Sequence, residues 1–201
     1  MADSTRQGWA IWVVGLPGSG KSNLARAVAE EFGSRGEEVV WLQMDARRKV
    51  YFPTPTYSSD EREEAYRLFA QEAAGLTRSG VNVVMDGAAY KVAFREYARS
   101  LIPRFAEVHV ICTLENAMQR EGKRPEGLVM AGLYAKALER KRSGKQFPGL
   151  GEVIGVDVPF EENPAAEFAI CNDEIPKQET RRRTLDFLTQ WLSRGAVPDG
   201  Q

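Results

Sequence analysis

The segment from residue 15 to residue 22 constrains the fold of this chain more than any other feature. It has the sequence GLPGSGKS and matches the pattern G-x-x-x-x-G-K-[ST]. An apolar run at residues 9–15 leads into it, and an amphipathic run at residues 21–32 follows it. Glycines let such a loop curl so that backbone N–H groups point inward at phosphate oxygens, and the following helix adds the positive end of its dipole. The sequence therefore predicts a strand, a phosphate-binding loop and a helix that bind a nucleoside triphosphate.

Within this loop the polar residues have separate chemical tasks. Lys21 reaches the β- and γ-phosphates, and the hydroxyl of Ser22 coordinates Mg²⁺. Lys21 is also a candidate catalytic residue, because phosphoryl transfer needs a basic group around the transferred charge. The predicted ATP-binding residues of the loop are Gly15, Pro17, Gly18, Ser19, Gly20, Lys21 and Ser22.

Short apolar runs alternate with longer amphipathic runs along the 201 residues. The predicted strands cover residues 9–15, 39–44, 81–85, 107–112 and 168–171, and the predicted helices cover 21–32, 60–78, 90–101 and 176–191. Strands that alternate with helices in this way form a parallel sheet with helices on both faces. We expect a single α/β domain over residues 1–201, with three layers and a five-stranded parallel sheet that binds ligands at the carboxyl ends of its strands.

Residues 114–164 interrupt this alternation, because they contain no obvious strand and hold seven glycines around one helical piece, LYAKALERK. A stretch of this length without a strand indicates a functional lid. Within it, residues 119–145 carry eight basic side chains and three acidic ones, although the whole chain has a net charge of −1. A basic lid on an acidic body suits a cover over a small polyanion.

The even total charge gives no reason to expect a nucleic-acid or membrane partner. The N-terminal residues MADSTRQG are polar, and no apolar run approaches the length of about 18 residues that a membrane span needs. We therefore expect a cytoplasmic protein that acts on a small molecule.

Two aspartates follow predicted strands at the ligand-binding edge of the sheet. Asp45 comes after the second strand and Asp86 after the third. A carboxylate at such a position can hold Mg²⁺ or accept the proton of an attacking hydroxyl, although an N-cap or an Asx-turn uses the same residue type. Both are candidates for catalysis and, with Ser22, for metal binding. Arg48 lies close by in sequence and would clamp an anionic substrate, unless it belongs to a solvated basic turn.

A phosphate-binding loop does not by itself define the reaction, which could belong to a kinase, a hydrolase switch or a motor. The chain is too short for the additional parts of a motor, and it combines candidate carboxylates with a lid that would exclude water. A small-molecule kinase is therefore favoured. Among other polar residues, we interpret Glu61, Glu63 and Glu64 as a solvated helix face and His109 as a core residue.

Several segments, in the same order, resemble the adenylylsulfate (APS) kinases. These P-loop kinases transfer the γ-phosphate of ATP to the 3′-hydroxyl of adenosine 5′-phosphosulfate, and the product is 3′-phosphoadenosine 5′-phosphosulfate. The resemblance extends over about residues 9–172, and GLYAKA and GVDVPFEENP are its most specific parts. The matching segments are GLPGSGKS (15–22), LQMDARR (42–48), YSSDEREEA (57–65), LENAMQR (114–120), GLYAKA (132–137) and GVDVPFE (155–161).

The resemblance implies roles for individual residues. Asp45 would be the catalytic or metal-linked aspartate, Arg48 and Arg62 would contact the phosphosulfate, and Tyr57 would stack on the substrate adenine. Arg120, as an ATP-binding residue, and Lys136 would belong to the lid over the phosphates. The implied substrate-binding residues are Arg48, Tyr57, Arg62, Lys136 and, as the counterpart of a family phenylalanine, either Phe147 or Val153. The resemblance also suggests a homodimer.

The chain departs from the family pattern around the acceptor. Ala46 and Ala65 replace two asparagines, and Asp86 to Lys91 replace a Ser-Pro-Tyr-Arg segment. Since polar contacts carry most of an enzyme's discrimination, these changes bear on the acceptor more than on ATP. We expect a kinase for APS that uses ATP and Mg²⁺. The alternatives are a related kinase for another anionic or nucleotide-like alcohol, or a non-catalytic nucleotide-sensing module.

Overall fold

The structure is a computed structural model that describes residues 7–123, 125 and 130–194. Five strands form one parallel sheet in the order β2-β3-β1-β4-β5. The elements in chain order are β1 Ala10–Val14, α1 Lys21–Ser34, β2 Val39–Gln43, α2 Met44–Tyr51, α3 Ser59–Arg78, β3 Asn82–Asp86, α4 Val92–Leu101, β4 Phe105–Ile111, α5 Leu114–Gly122, α6 Leu133–Ser143, β5 Phe168–Cys171 and α7 Lys177–Arg194. The predicted α/β fold with a five-stranded parallel sheet is confirmed.

Helices cover both faces of the sheet because the central strands are apolar on both sides. In β1, Ile11 and Val13 belong to a buried cluster that α1 and α7 complete. Trp12 and Val14 point the other way, into a cluster with α3 and α4. The alternating direction of side chains along a strand thus places one core on each side and yields the three layers.

The segment after β4 has its own small core. Buried side chains of α5, α6 and the following loop pack together, and among them are Ala117, Tyr134 and Val153. Between α6 and β5 the described residues form one isolated bridge, Ile154 to Val158, and no strand. This segment therefore has a core of its own, and its role as a lid stays a prediction. Residues 124 and 126–129 of the expected lid lie outside the described residues.

Two helices were not predicted. Helix α2 begins directly after β2, so Asp45 lies in the first turn of a helix and not at the end of a strand. Only Met44 and Arg48 of α2 are buried, and such a short charged segment has no apolar periodicity to reveal it. Helix α5 has a clearer signal, because the hydroxyl of Thr113 accepts a hydrogen bond from the Asn116 amide in the manner of an N-cap.

Candidate active site

The phosphate-binding loop crosses from β1 to α1 at the carboxyl edge of the sheet, and Lys21 is the first residue of α1. Gly18 and Gly20 both have positive φ, 85° and 98°. A Cβ atom at Gly18 would lie 2.2 Å from the carbonyl oxygen of Ala117, and one at Gly20 would lie 2.6 Å from the side-chain nitrogen of Asn172. Glycine is therefore favoured at both positions by conformation, and at Gly18 the nearby backbone also leaves no space for a side chain.

Two cavities meet at this loop, and Lys21 lines both of them. The larger, of about 740 Å³, is called the outer cavity, and its lining includes Gly18, Ser22 and Arg120. The smaller, of about 360 Å³, is called the inner cavity and lies between α2, the start of α3 and the loop after α6. Two cavities that share one lysine suit a reaction in which a phosphoryl group passes from one bound molecule to another.

Oxygen donors for a metal ion lie beside Lys21. The hydroxyl of Ser22 donates a hydrogen bond to a carboxylate oxygen of Asp86 over 3.1 Å. Asp86 is the last residue of β3 and is 6% exposed, and Asp45 lines the inner cavity with it. In the described part of the chain no three His, Cys, Asp or Glu side chains form a metal-binding group. This donor set fits Mg²⁺, which takes one or two carboxylates together with phosphate oxygens and water.

Arg48 and Tyr57 form one wall of the inner cavity. Arg48 lies one turn after Asp45 on α2, and its guanidinium carbon lies 5.3 Å from the centre of the Tyr57 ring. Its Nη1 atom lies 3.4 Å from a carboxylate oxygen of Glu61, and the two side chains are only 6% and 8% exposed. The interpretation of Glu61 as part of a solvated face is therefore wrong. Glu63 is 56% exposed and Glu64 41%, as that interpretation expects.

Arg62 provides a positive charge that its neighbours leave partly unmatched. One guanidinium nitrogen donates to the backbone carbonyl of Glu152 over 2.7 Å, and the group lies 5.4 Å from the centre of the Tyr90 ring. The other terminal nitrogen, Nη1, is buried and has no hydrogen-bond partner among the described residues. Since buried donors are normally paired, this nitrogen indicates where an anionic group of a ligand would bind.

The structure separates the two candidates for the counterpart of the family phenylalanine. Val153 is buried and lines the inner cavity. Phe147 packs against the core beneath the lid with the ammonium of Lys145 4.9 Å from its ring, and it lines neither cavity. Lys136 also lies outside both cavities, and its ammonium donates to the carbonyl of Ala131 over 2.8 Å. Contacts of Phe147 or Lys136 with substrate would need a rearrangement.

Arg120 lines the outer cavity, where its guanidinium donates to the carbonyl of Asn172 over 2.8 Å. The amide of Asn172 in turn donates to the carbonyl of Ser19 over 2.8 Å and ties the phosphate-binding loop to the end of β5. Sequence reasoning missed Asn172, and it also missed Tyr66, which lines the inner cavity and accepts a hydrogen bond from the amide of Ala89 over 2.8 Å. Neither residue belongs to a recognisable motif, and only the fold brings them to the site.

His109 confirms its interpretation as a core residue. It is 7% exposed on β4, and its ring stacks on Phe160 with centres 4.8 Å apart. Burial, together with the positive charge of Arg95, lowers the pKa of His109. The imidazole is therefore neutral at physiological pH and takes no part in the lining of either cavity.

Comparisons of the sequence with a family model and with individual relatives point to the same family. The family model described as adenylylsulphate kinase matches residues 7–171. The adenylyl-sulfate kinase of Bacillus pumilus is 30% identical over 182 residues, which are 90% of this chain and 84% of the relative. The adenylyl-sulfate kinase of a Synechococcus species is 32% identical over 196 residues, which are 96% of this chain and 99% of the relative.

Among solved structures, the APS kinase of Mycobacterium tuberculosis in complex with AMPPNP and APS superimposes with a TM-score of 0.75. That match covers 92% of this chain and 99% of the other at 23% identity, so it supports the fold. Within the described residues, no helix has both the length and the apolar character required to cross a membrane.

Proposed function

Because the chain belongs to the adenylylsulphate kinase family, we propose that it transfers the γ-phosphate of ATP to the 3′-hydroxyl of adenosine 5′-phosphosulfate. The observation that carries this proposal is the meeting of two cavities at Lys21, with Asp45 and Asp86 in the lining of the inner cavity. The outer cavity would take ATP, and the inner cavity would take the acceptor.

On the donor side, the backbone N–H groups of residues 15–20 cradle the phosphates of ATP, and Lys21 binds the β- and γ-phosphates. Ser22 and Asp86 would hold Mg²⁺, and their mutual hydrogen bond already brings the two oxygens together. Bound Mg²⁺ neutralises the charge that develops on the phosphate oxygens. Arg120 lines the outer cavity and would contact the nucleotide there.

On the acceptor side, Arg62 has a free donor for the phosphosulfate, and Arg48 adds a second guanidinium. Tyr57 supplies an aromatic face for the adenine. The 3′-oxygen of the acceptor would form a bond to the γ-phosphorus while the bond from that phosphorus to ADP breaks. Asp45 would accept the proton that the 3′-hydroxyl loses. Lid residues such as Leu133 and Leu150 close the inner cavity and exclude water, which would otherwise hydrolyse ATP.

A second candidate, a kinase of the same family for another anionic alcohol, is favoured by the lining of the inner cavity. Val153 lines this cavity and, in one of the two registers, replaces a family phenylalanine. Ala46 and Ala65, which do not line the cavity, stand where the family has asparagines. The adenine would then contact one aromatic ring and not two. Such a cavity discriminates less strictly between a purine and another ring.

An assay of ADP release with ATP and Mg²⁺ over a panel of acceptors distinguishes the two candidates. We expect APS to give the largest increase over the rate with ATP alone. Lys21→Ala should abolish turnover, whereas Asp45→Ala should leave ATP binding intact and lower kcat about 100-fold or more, as loss of a general base does. If APS gives no increase in ADP release over the rate with ATP alone, the proposal fails. Another acceptor that does increase ADP release would then be the substrate.

Two further expectations, a homodimer and a cytoplasmic location, stay predictions. A solved structure of the same fold, from Thiobacillus denitrificans, is described as a hexameric APS kinase. Light scattering of the purified chain would measure its oligomeric state, and cell fractionation would measure its location.

A further inference from the structure

The carboxylate of Glu61 faces inward from the first turn of α3. Its side chain is 8% exposed, although Glu63, two residues later on the same helix, is 56% exposed. An ionised carboxylate is buried at a surface turn only when several donors surround it. Several donors must therefore surround the carboxylate of Glu61.

Four donors surround this carboxylate, and all of them precede α3. One oxygen accepts hydrogen bonds from the backbone N–H and the hydroxyl of Thr56. The other accepts from the N–H of Tyr57 over 3.1 Å and from Nη1 of Arg48 over 3.4 Å. Burial opposes ionisation of Glu61, but the hydrogen bonds from Thr56 and Tyr57 outweigh it and lower the pKa. Glu61 is thus a fixed negative charge that joins α2, the loop before α3 and α3 itself.

Two of these donors belong to walls of the inner cavity. Tyr57 has φ of 58°, a left-handed conformation that a tyrosine adopts only when its surroundings impose it. Arg48 is only 5% exposed, and its guanidinium lies over the Tyr57 ring. Glu61 binds both residues but is not among the described residues that line the inner cavity.

We propose that Glu61 is a positioning residue for the acceptor. It holds the strained backbone of Tyr57 and the buried guanidinium of Arg48 in place before the acceptor binds. By neutralising Arg48, it also leaves the unpartnered Nη1 of Arg62 as the stronger site for the anionic group of the acceptor. This inference rests on the proposed function, since it takes the inner cavity as the acceptor site.

The test compares Glu61→Gln, Glu61→Asp and the control Glu63→Gln, which removes an exposed carboxylate of the same helix. In Glu61→Gln an amide NH₂ must face at least one of the surrounding donors. We expect the KM for APS to rise about tenfold or more, with the KM for ATP unchanged, because one buried donor without an acceptor is worth about that factor. Glu61→Asp keeps the charge and should recover part of the loss, and Glu63→Gln should match the wild type.

An unchanged KM for APS in Glu61→Gln would overturn the proposal. So would equal rises in both KM values together with a lower melting temperature, which would indicate a purely structural role. Hydrogen exchange of the Thr56 and Tyr57 amides, measured by NMR without any acceptor, should be faster in Glu61→Gln than in the wild type. If the wild type does not phosphorylate APS, the proposed function fails, and this exchange measurement still decides whether Glu61 holds the loop.

Discussion

At the scale of single residues, the pair formed by Ser22 and Asp86 distinguishes the two aspartates of the site. Asp86 touches the hydroxyl that binds metal in P-loop proteins, whereas Asp45 lies on α2 next to the wall formed by Arg48. Sequence reasoning gave both carboxylates the same two roles. On this geometry we propose that Asp86 binds the metal and that Asp45 serves the acceptor hydroxyl.

Substitution of Asp86 tests this division. Asp86→Asn keeps an oxygen that can accept from Ser22 but removes the negative charge. We expect the Mg²⁺ concentration for half-maximal turnover to rise about tenfold or more, because carboxylates around a metal site contribute that much to its affinity. Titration of Mg²⁺ at saturating ATP measures this concentration. The control is Asp60→Asn, which replaces an exposed aspartate of α3. An unchanged Mg²⁺ requirement would contradict metal binding by Asp86 and would make Asp45 the better candidate for the metal ligand.

At the scale of elements, the segment between α6 and β5 closes the inner cavity through close backbone contacts. Gly151 has φ of 56° and lies against Tyr57, so that a Cβ atom on it would be 2.7 Å from the Cβ of Tyr57 and 2.9 Å from its carbonyl oxygen. The neighbouring carbonyl of Glu152 accepts from Arg62. The segment between α6 and β5 therefore contacts both the loop before α3 and Arg62 of α3 itself, two parts of the wall of the inner cavity.

Gly151→Ala should disturb this contact. An alanine there has an unfavourable φ and also collides with backbone that cannot move alone. We expect a loss of about 1–3 kcal/mol in the free energy of unfolding and a higher KM for the acceptor. Urea unfolding and steady-state kinetics measure the two effects.

The control for this substitution is Gly144→Ala. Gly144 also has a positive φ, 74°, but a Cβ atom there would meet nothing within 4 Å. Gly144→Ala should therefore lose only the conformational part of the stability and leave the acceptor KM unchanged. Equal effects of the two variants on KM would show that the contact between Gly151 and Tyr57 does not shape the acceptor site.

At the scale of the whole molecule, buried polar groups join the outer layers to the sheet. Arg95 on α4 and Glu107 on β4 form an ion pair of 2.8 Å in which both side chains are fully buried. Asn163, near the end of the segment 114–164, donates to the same Glu107 over 2.8 Å. Breaking such a pair costs about 3–5 kcal/mol, so the end of the lid is anchored to the core of the domain.

His109 makes the stability of the molecule depend on pH. Its pKa is lowered in the folded protein, so between its ordinary pKa near 6.5 and the folded value the unfolded chain binds more protons. The free energy of unfolding therefore has its full value from this group above about pH 6.5, where His109 is neutral in both states. It decreases as the pH falls below about 6.5. The contribution of one histidine cannot exceed about 1.4 kcal/mol per pH unit.

His109→Phe should reduce this acid-side loss while keeping the stack on Phe160. Urea unfolding between pH 8 and pH 5 measures the free energy of unfolding of both proteins. We expect the difference between variant and wild type to shift in favour of the variant as the pH falls below about 6.5. A difference that stays constant over this range would show that His109 does not titrate in the folding reaction.

Much of the fold was predictable because its signals are local. The apolar runs of β1 to β5 and the helical spacing of α1, α3, α4 and α7 depend only on neighbouring residues, and the structure has all of them within a few residues of the predicted bounds. Helix α2 was not predictable, since eight residues with one buried apolar side chain show no period. Its position nevertheless decides where Asp45 and Arg48 stand.

The sequence by itself determined the phosphate-binding loop and the parallel sheet, because each depends on residue types at a fixed spacing. The lid over residues 114–164 stays a prediction. Only the tertiary structure decided that Glu61 is buried beside Arg48, that Val153 and not Phe147 lines the inner cavity, and that Asp86 pairs with Ser22. These facts join residues from separate elements. Their contacts follow from how the elements pack, which no spacing along one segment specifies.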